Sequence, residues 1–207
     1  MPLQAGHLSK ALLRNAGVSV PEFVVGSTVE TLAGNAHALT PPLAMKGLGF
    51  LHKSEAGAVR LNLASLNEQT EMAGANGYLA EEMVTDGVAE LLVGLRRVKP
   101  YGLVIVLGSG GTAAELLSDT VTLIAPVTAA EVQTSLRKLQ LWPLLDGFRG
   151  RPCADVTSAV TTVMQLQQLA LEHEDLIDIE INPLILRTHG AVAVDAVIRT
   201  IAGTGTW

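Results

Sequence analysis

The stretch "LIDIEINPLILRTHGAVAVDAVIRT", residues 176–200, decides how the chain is read. Two β-branched runs flank "RTHG", so it reads as two strands around a tight turn. A turn at Thr188–His189 sets Asn182 opposite Asp195 and Glu180 opposite Val197. Directly paired residues have Cβ atoms about 4.5–5.5 Å apart. Period-two alternation then gathers Glu180, Asn182 and Asp195 on one face. Ile179, Ile181, Ile185, Val192, Val194 and Ile198 fall on the other. One face is aliphatic and buried; the other carries two carboxylates and an amide. Hard oxygen donors at that spacing suit Mg²⁺, which takes one or two carboxylates plus phosphate oxygens and water. Taken alone, the hairpin favours a solvated acidic sheet face over a metal site, and a bulge at Gly190 would shift the register.

Upstream, "GLVIVLGSGG" (102–111) is a buried strand running into glycines. Backbone N–H groups freed of side-chain bulk can surround an anion, yet the pattern is neither a dinucleotide fingerprint nor a P-loop. Lys46 lies in the apolar run "PPLAMKGLGF", where a lysine is costly unless paired or turned outward. His52 sits in "GFLHKSEAGAV" beside Lys53, Ser54 and glycine. A neutral imidazole there is a candidate nucleophile towards phosphorus. A phosphate, a divalent ion and a reactive imidazole together point to nucleotide-dependent phosphoryl transfer, which depends on positioning and charge neutralisation.

The remaining elements alternate between helices and hairpin-like strand pairs. "HLSKALLRNAG" reads as a helix capped by Ser9, with Leu8, Leu12 and Leu13 inward. "VTAAEVQTSLRKLQ" carries a capping-box spacing at Thr128 and Glu131. "DVTSAVTTVMQLQQLALEH" is a long helix capped by Asp155. "LNEQTEMAGANG" reads as a short helix ended by glycine. Strands in pairs with separate helices favour an α+β fold over regular βαβ alternation.

Composition bounds the rest. The 207 residues are 48% hydrophobic but only 3% aromatic, so the core is aliphatic. A net charge of −6 with scattered lysines and arginines excludes a nucleic-acid footprint. The single Cys153 excludes an internal disulfide framework and fits a reducing compartment. No run of about 18 apolar residues predicts a membrane span, and "MPLQAGHLSKALLRNAG" lacks a signal-peptide core. The expectation is a cytoplasmic protein without membrane or nucleic-acid partners.

The order of the motifs "MKGLGFLHKSEAGAVRL", "GYLAEEMV", "GVAELLVGLRR", "YGLVIVLGSGGTAAELLSD", "APVT", "LLDGFRGRP" and "DIEINPLIL…GAVAVDAVI" resembles the ATP-grasp domain of ADP-forming acyl-CoA synthetases. These are β subunits of ADP-forming acetyl-CoA synthetase, related to the succinyl-CoA synthetase β subunit. The resemblance covers nearly the whole chain. It implies an ATP-grasp fold of two α+β lobes: a small lobe at 20–84, and a large lobe at 1–19 and 85–207 with the N-terminal helix. It also implies roles. Lys46 would contact nucleotide phosphates, and Glu81, Glu82 and Met83 would form the hinge beside the base. Glu90, Gly108, Gly110 and Gly111 would line the nucleotide. Glu180, Asn182 and Asp195 would bind Mg²⁺, and His52 would carry phosphate. The implied cofactors are ATP or ADP with Mg²⁺. The implied partner is a CoA-binding α-type subunit that handles the acid and acyl-CoA. Departures from the family pattern, with Ala58 in place of a glycine, Leu123 in place of an arginine and a short stretch before "GYLAEEMV", raise an alternative: a degenerate, non-catalytic scaffold.

Overall fold

The computed structural model of the chain describes residues 6–50, 57–111 and 118–201. They form two compact units, one from residues 21–85 and the other from the described parts of 1–20 and 86–207.

In the first unit the strands are β1 (Phe23–Gly26), β2 (Leu43–Gly47), β3 (Val59–Leu63) and β4 (Tyr78–Glu82). They pair antiparallel in the order β1-β4-β2-β3. Helix α2 (Val29–Asn35) packs on them, starting at a Thr28–Thr31 capping box. Leu32, Met45 and Tyr78 centre the core. The helix expected at "LNEQTEMAGANG" does not form; the segment is a string of turns. Its polar groups are used elsewhere. The Met72 N–H donates to the Tyr78 hydroxyl at 2.8 Å, and the Glu71 carboxylate accepts from the Val29 N–H at 2.8 Å. Leu66 and Met72 plug the core from irregular backbone, so no apolar helical stripe exists to drive a helix.

The second unit is built on β5 (Ala89–Val98), β6 (Gly102–Ser109), β7 (Thr120–Ile124), β8 (Leu176–Leu186), β9 (Ala191–Ala193) and β10 (Ala196–Thr200). The sheet order is β10-β8-β5-β6-β7, with β9 also on β8, and every pairing is antiparallel. Its helices are α1 (Gly6–Asn15), α3 (Ala129–Leu136), the short α4 (Trp142–Leu145) and α5 (Val156–Glu172). "GYLAEEMV" and "AELLVGLRRV", adjacent in sequence, therefore enter different sheets. The Ser9 cap is not observed, because α1 already begins at Gly6; Ser9 is buried within the helix and Leu8 is exposed.

Both ends of α5 are tied to the sheet. At the N-terminus, Asp155 accepts from the Ser158 N–H at 2.9 Å and from the Gly190 N–H of the β8–β9 turn at 2.8 Å. At the C-terminus, Arg97 of β5 donates to the carbonyls of Ala170, His173 and Leu176. A cation there also meets the negative end of the helix dipole.

The hairpin register is the one read from the turn. Ala196 pairs with Ile181, Val197 with Glu180 and Leu184 with Ala193. The burial pattern departs from simple alternation. Ile179 and Ile181 are buried, and then Leu184 and Leu186, while Ile185 and Val194 are only half-buried. The reason lies in the neighbouring strand. Leu91 pairs with Leu184 but Val93 pairs with Ile181, so Asn182 and Pro183 together face Leu92. This β-bulge inserts one residue and reverses the phase of the strand. The facing chain makes the matching change: Ala191 and Ala193 are buried, then Ala196 and Ile198, with Val194–Asp195 between them.

Asp155 gives a stability prediction. The Gly190 N–H, the Ser158 N–H and the Ser158 hydroxyl hold its carboxyl below the ordinary value of 3.8. Asp155→Ala should cost about 2 kcal/mol, a cap plus an orphaned N–H, lowering Tm by roughly 4–8 °C at neutral pH. Because the folded pKa is depressed, the wild-type advantage is present above the unfolded pKa and is lost as pH falls through the folded one. Thermal melts of the two proteins should therefore converge below about pH 4. A constant gap down to the acid limit would count against the charged cap.

Candidate active site

Lys46 and Glu81 come from adjacent strands. Ala44 pairs with Glu81 and Lys46 with Leu79, so the two side chains are diagonal neighbours on one face. Lys46 Nζ lies 2.8 Å from Glu81 Oε1, with the residues only 7% and 1% exposed. The lysine is thus neither outward-facing nor isolated. Glu81 holds it in place and offsets the cost of burying its charge. The expected base-binding hinge looks different in detail. Glu81 points its carboxylate at Lys46. The Glu82 carboxylate accepts from the Thr40 N–H at 2.8 Å, and the Glu82 N–H donates to Glu22. The Met83 N–H donates to the Pro42 carbonyl at 2.9 Å, and its sulfur meets the Asn62 N–H. His52 lies outside the described residues.

In the other unit the glycines act chiefly through close approach. A Cβ on Gly108 would lie 2.7 Å from the Asp119 carbonyl oxygen, and one on Gly110 would lie 2.5 Å from the Leu91 carbonyl carbon. Gly111, at φ +67°, would meet Glu90 Oε2 at 1.6 Å. The absence of side chains lets the end of β6 press on β5 at Gly110 and Gly111 and on the start of β7 at Gly108. The N–H groups of Gly110 and Gly111 donate to the Glu90 carbonyl and to Asn182 Oδ1, each at 2.8 Å. The expectation of an open phosphate cradle is modified accordingly: here both donors have protein acceptors.

Asp119, which the sequence reading passed over, supports this turn. It is buried and accepts from the Ser109 hydroxyl at 2.7 Å and from the Gln140 and Leu141 N–H groups at 2.9 and 3.1 Å. Burial pushes its pKa up, but the hydroxyl and the two amides outweigh it, and the net shift is downward. It stays a carboxylate and ties the β6–β7 connection to the α3–α4 link. The only sequence signal was an acid beside a strand of unclear boundaries.

Asn182 and Asp195 meet as the register requires. The Asn182 N–H donates to the Asp195 carbonyl at 3.1 Å, and the Val194 N–H donates to the Pro183 carbonyl at 3.1 Å. Both residues are half-buried, whereas Glu180 is exposed two residues away, opposite Gly94 and Val197. No three His, Cys, Asp or Glu side chains cluster as a metal cage among the described residues. One amide and one carboxylate, with Glu180 alongside, are still a fitting donor set for Mg²⁺. That ion keeps several waters and takes phosphate oxygens rather than demanding an all-protein cage. Among the described residues no helix is long and apolar enough to cross a membrane.

Comparison with known proteins identifies the family of the chain. The β subunit of an ADP-forming acetate–CoA ligase from Pyrococcus furiosus is 28% identical over 203 residues, covering 91% of this chain and 88% of that one. A trans-feruloyl-CoA synthase from an unknown prokaryotic organism is 31% identical over 210 residues, 93% of this chain but 30% of that protein. A longer acetate–CoA ligase of Archaeoglobus fulgidus is 28% identical over 199 residues, again with only 29% of its length covered. The chain thus spans about three tenths of these longer relatives. Among solved structures, an acetyl-CoA synthetase of Ca. Korarchaeum cryptofilum in complex with coenzyme A and Mg-AMPPCP matches with a TM-score of 0.83 and 25% identity, over 96% of this chain and 92% of that one. These relatives are named as ligases and synthases, and they lend no support to a non-catalytic scaffold. A family model described as an ATP-grasp domain matches residues 3–200, and the chain belongs to that family.

Proposed function

We propose that this chain is the nucleotide-binding subunit of an ADP-forming acyl-CoA synthetase. The overall reaction would be acyl-CoA + ADP + phosphate ⇌ acid + CoA + ATP. The single observation that carries this reading is the hydrogen bond from the Gly111 N–H to Asn182 Oδ1. It joins the glycine-rich turn to the hairpin where Asp195 lies. A glycine turn and two hard oxygen donors at one place suit a Mg²⁺-bound polyphosphate better than any other ligand class in view.

The residues divide the work as follows. Mg²⁺, when bound by Asn182 and Asp195 with Glu180 nearby, would supply charge neutralisation at the phosphates. Lys46, held by Glu81, adds a second positive charge. Glu82 and Met83 would face the base, and Glu90 with Gly108, Gly110 and Gly111 would shape the phosphate end. His52 would carry the phosphoryl group. It receives phosphate from an acyl phosphate with release of the acid, and then its N–P bond breaks as an O–P bond forms on the terminal phosphate of ADP.

A CoA-binding α-type subunit would form the acyl phosphate from acyl-CoA and phosphate, making the working enzyme a hetero-oligomer. The Pyrococcus relative is a β subunit by name, which supports a partner. The choice of acid would also lie with that partner. Relatives named for acetate, ferulate and 4-hydroxybutyrate all match this same segment at 27–31% identity. That one kind of segment accompanies such different acids supports the partner as the place where they are distinguished.

Calorimetry with ADP, with and without Mg²⁺, tests the reading. Wild type should bind Mg·ADP. Asn182→Ala and Asp195→Ala should each lose at least about tenfold of the Mg²⁺-dependent affinity, on the order of 1.4 kcal/mol. Lys46→Met should weaken ADP with or without the ion. Absence of Mg·ADP binding by wild type, with its partner present, would sink the proposal. His52→Ala should abolish phosphate transfer from the partner's acyl phosphate while leaving ADP affinity unchanged; undiminished transfer would remove His52 from the chemistry. Gly110→Ala has no room for its methyl against the β5 backbone and should destabilise the protein by at least about 2 kcal/mol, measurable by urea unfolding.

A further inference from the structure

Helix α1 packs a lysine where an apolar residue would serve the core. Lys10 is 1% exposed and lies on the buried side of the helix with Leu12 and Leu13. Taking an ammonium out of water costs several kcal/mol, and an apolar residue of like volume often packs as well or better. A lysine here therefore needs a specific acceptor. Its Nζ donates to the Val194 carbonyl at 2.6 Å, across 184 residues of sequence. Such charge-assisted bonds are about twice as strong as neutral ones.

Val194 and Asp195 occupy the interruption between β9 and β10, where the ladder reverses phase. The peptide joining them and the one on each side of it are all held. The Val194 N–H donates to Pro183, the Val194 carbonyl accepts from Lys10, and the Asp195 carbonyl accepts from the Asn182 N–H. Asn182 in turn holds Gly111. One run of hydrogen bonds thus leads from α1 through the hairpin to the glycine turn.

We propose that Lys10 is a positioning residue for the cation and nucleotide phosphates. It fixes the Val194–Asp195 peptide so that the Asp195 carboxylate and the Asn182 amide keep the separation a small divalent cation requires. This rests on the function proposed above. Mg²⁺ demands near-ideal octahedral geometry at about 2.0–2.1 Å, whereas Ca²⁺ accepts irregular shells at about 2.3–2.6 Å. Loosening the peptide therefore penalises Mg²⁺ more than Ca²⁺.

The test is titration of Mg²⁺ and of Ca²⁺ into protein saturated with ADP, followed by calorimetry, for wild type, Lys10→Met, Lys10→Arg and Leu13→Ala. Lys10→Met should bind Mg²⁺ at least about tenfold more weakly, lose less for Ca²⁺, and keep its metal-free ADP affinity within about twofold, tenfold being about 1.4 kcal/mol. Lys10→Arg keeps the charge but displaces the peptide, and should show the same rise in Ca²⁺ preference on a smaller scale. It also serves as the readout should Lys10→Met fail to fold. Leu13→Ala loosens α1 without touching the carbonyl, and should lower Tm while leaving the Ca²⁺-to-Mg²⁺ ratio at the wild-type value. An unchanged ratio in the Lys10 variants, or an equal change in Leu13→Ala, overturns the proposal while the proposed function stands. Wild type without Mg²⁺-dependent ADP binding removes both.

Discussion

A strand in a packed sheet must alternate, and the long strand β8 breaks that rule at one place. Asn182 and Pro183 share the single neighbour Leu92. Ile179 and Ile181 on one side of the break, and Leu184 and Leu186 on the other, then all reach the core. Without the extra residue, one of these pairs would turn to solvent and the sheet would lose about half of its contribution from this strand. The half-buried Asn182 is where the strand accommodates the change, and its amide oxygen meets Gly111 there. The same irregularity that lets the core close brings the Asn182 amide to the glycine turn.

Two buried lysines show a common solution to one problem. Lys46 is met by Glu81 on a neighbouring strand, and Lys10 by a main-chain carbonyl in the break between β9 and β10. Neither arrangement is the least costly way to fill a core. Each instead fixes the ammonium against one specific acceptor. Asp119 is the anionic counterpart. Three donors keep it charged within the sheet, where it fastens the end of the glycine turn to the α3–α4 link. Support of this kind holds groups whose own contacts would not suffice to order them.

The caps at Thr128 and Asp155 and the hairpin register were legible in the residues because they are local. Thr128 with Glu131, and Asp155 with Ser158, lie three residues apart and bond as the spacing implies. The turn at Thr188–His189 sets every pairing from Leu186–Ala191 to Arg199–Asp178. "LNEQTEMAGANG" has the composition of a helix but does not form one: Glu71 bonds the Val29 N–H, far away in sequence, and the Met72 N–H bonds the Tyr78 side chain, contacts that helix propensity does not register. The bulge at Asn182 was invisible because it is a relation between β8 and β5, about 90 residues apart, rather than a property of either strand.

By itself, then, the sequence determined the capped helices and most of the strands, where the last hairpin turns, and that an amide and a carboxylate stand opposite each other on it. Those are consequences of spacing within one stretch of chain. Only the tertiary structure decided that Lys46 is buried against Glu81, that the glycines serve close packing between β5 and β6, and that Lys10 reaches the carbonyl beside Asp195. Each of these joins groups far apart in sequence, and the direction of a buried charge is set by whichever acceptor the packed neighbours bring within reach.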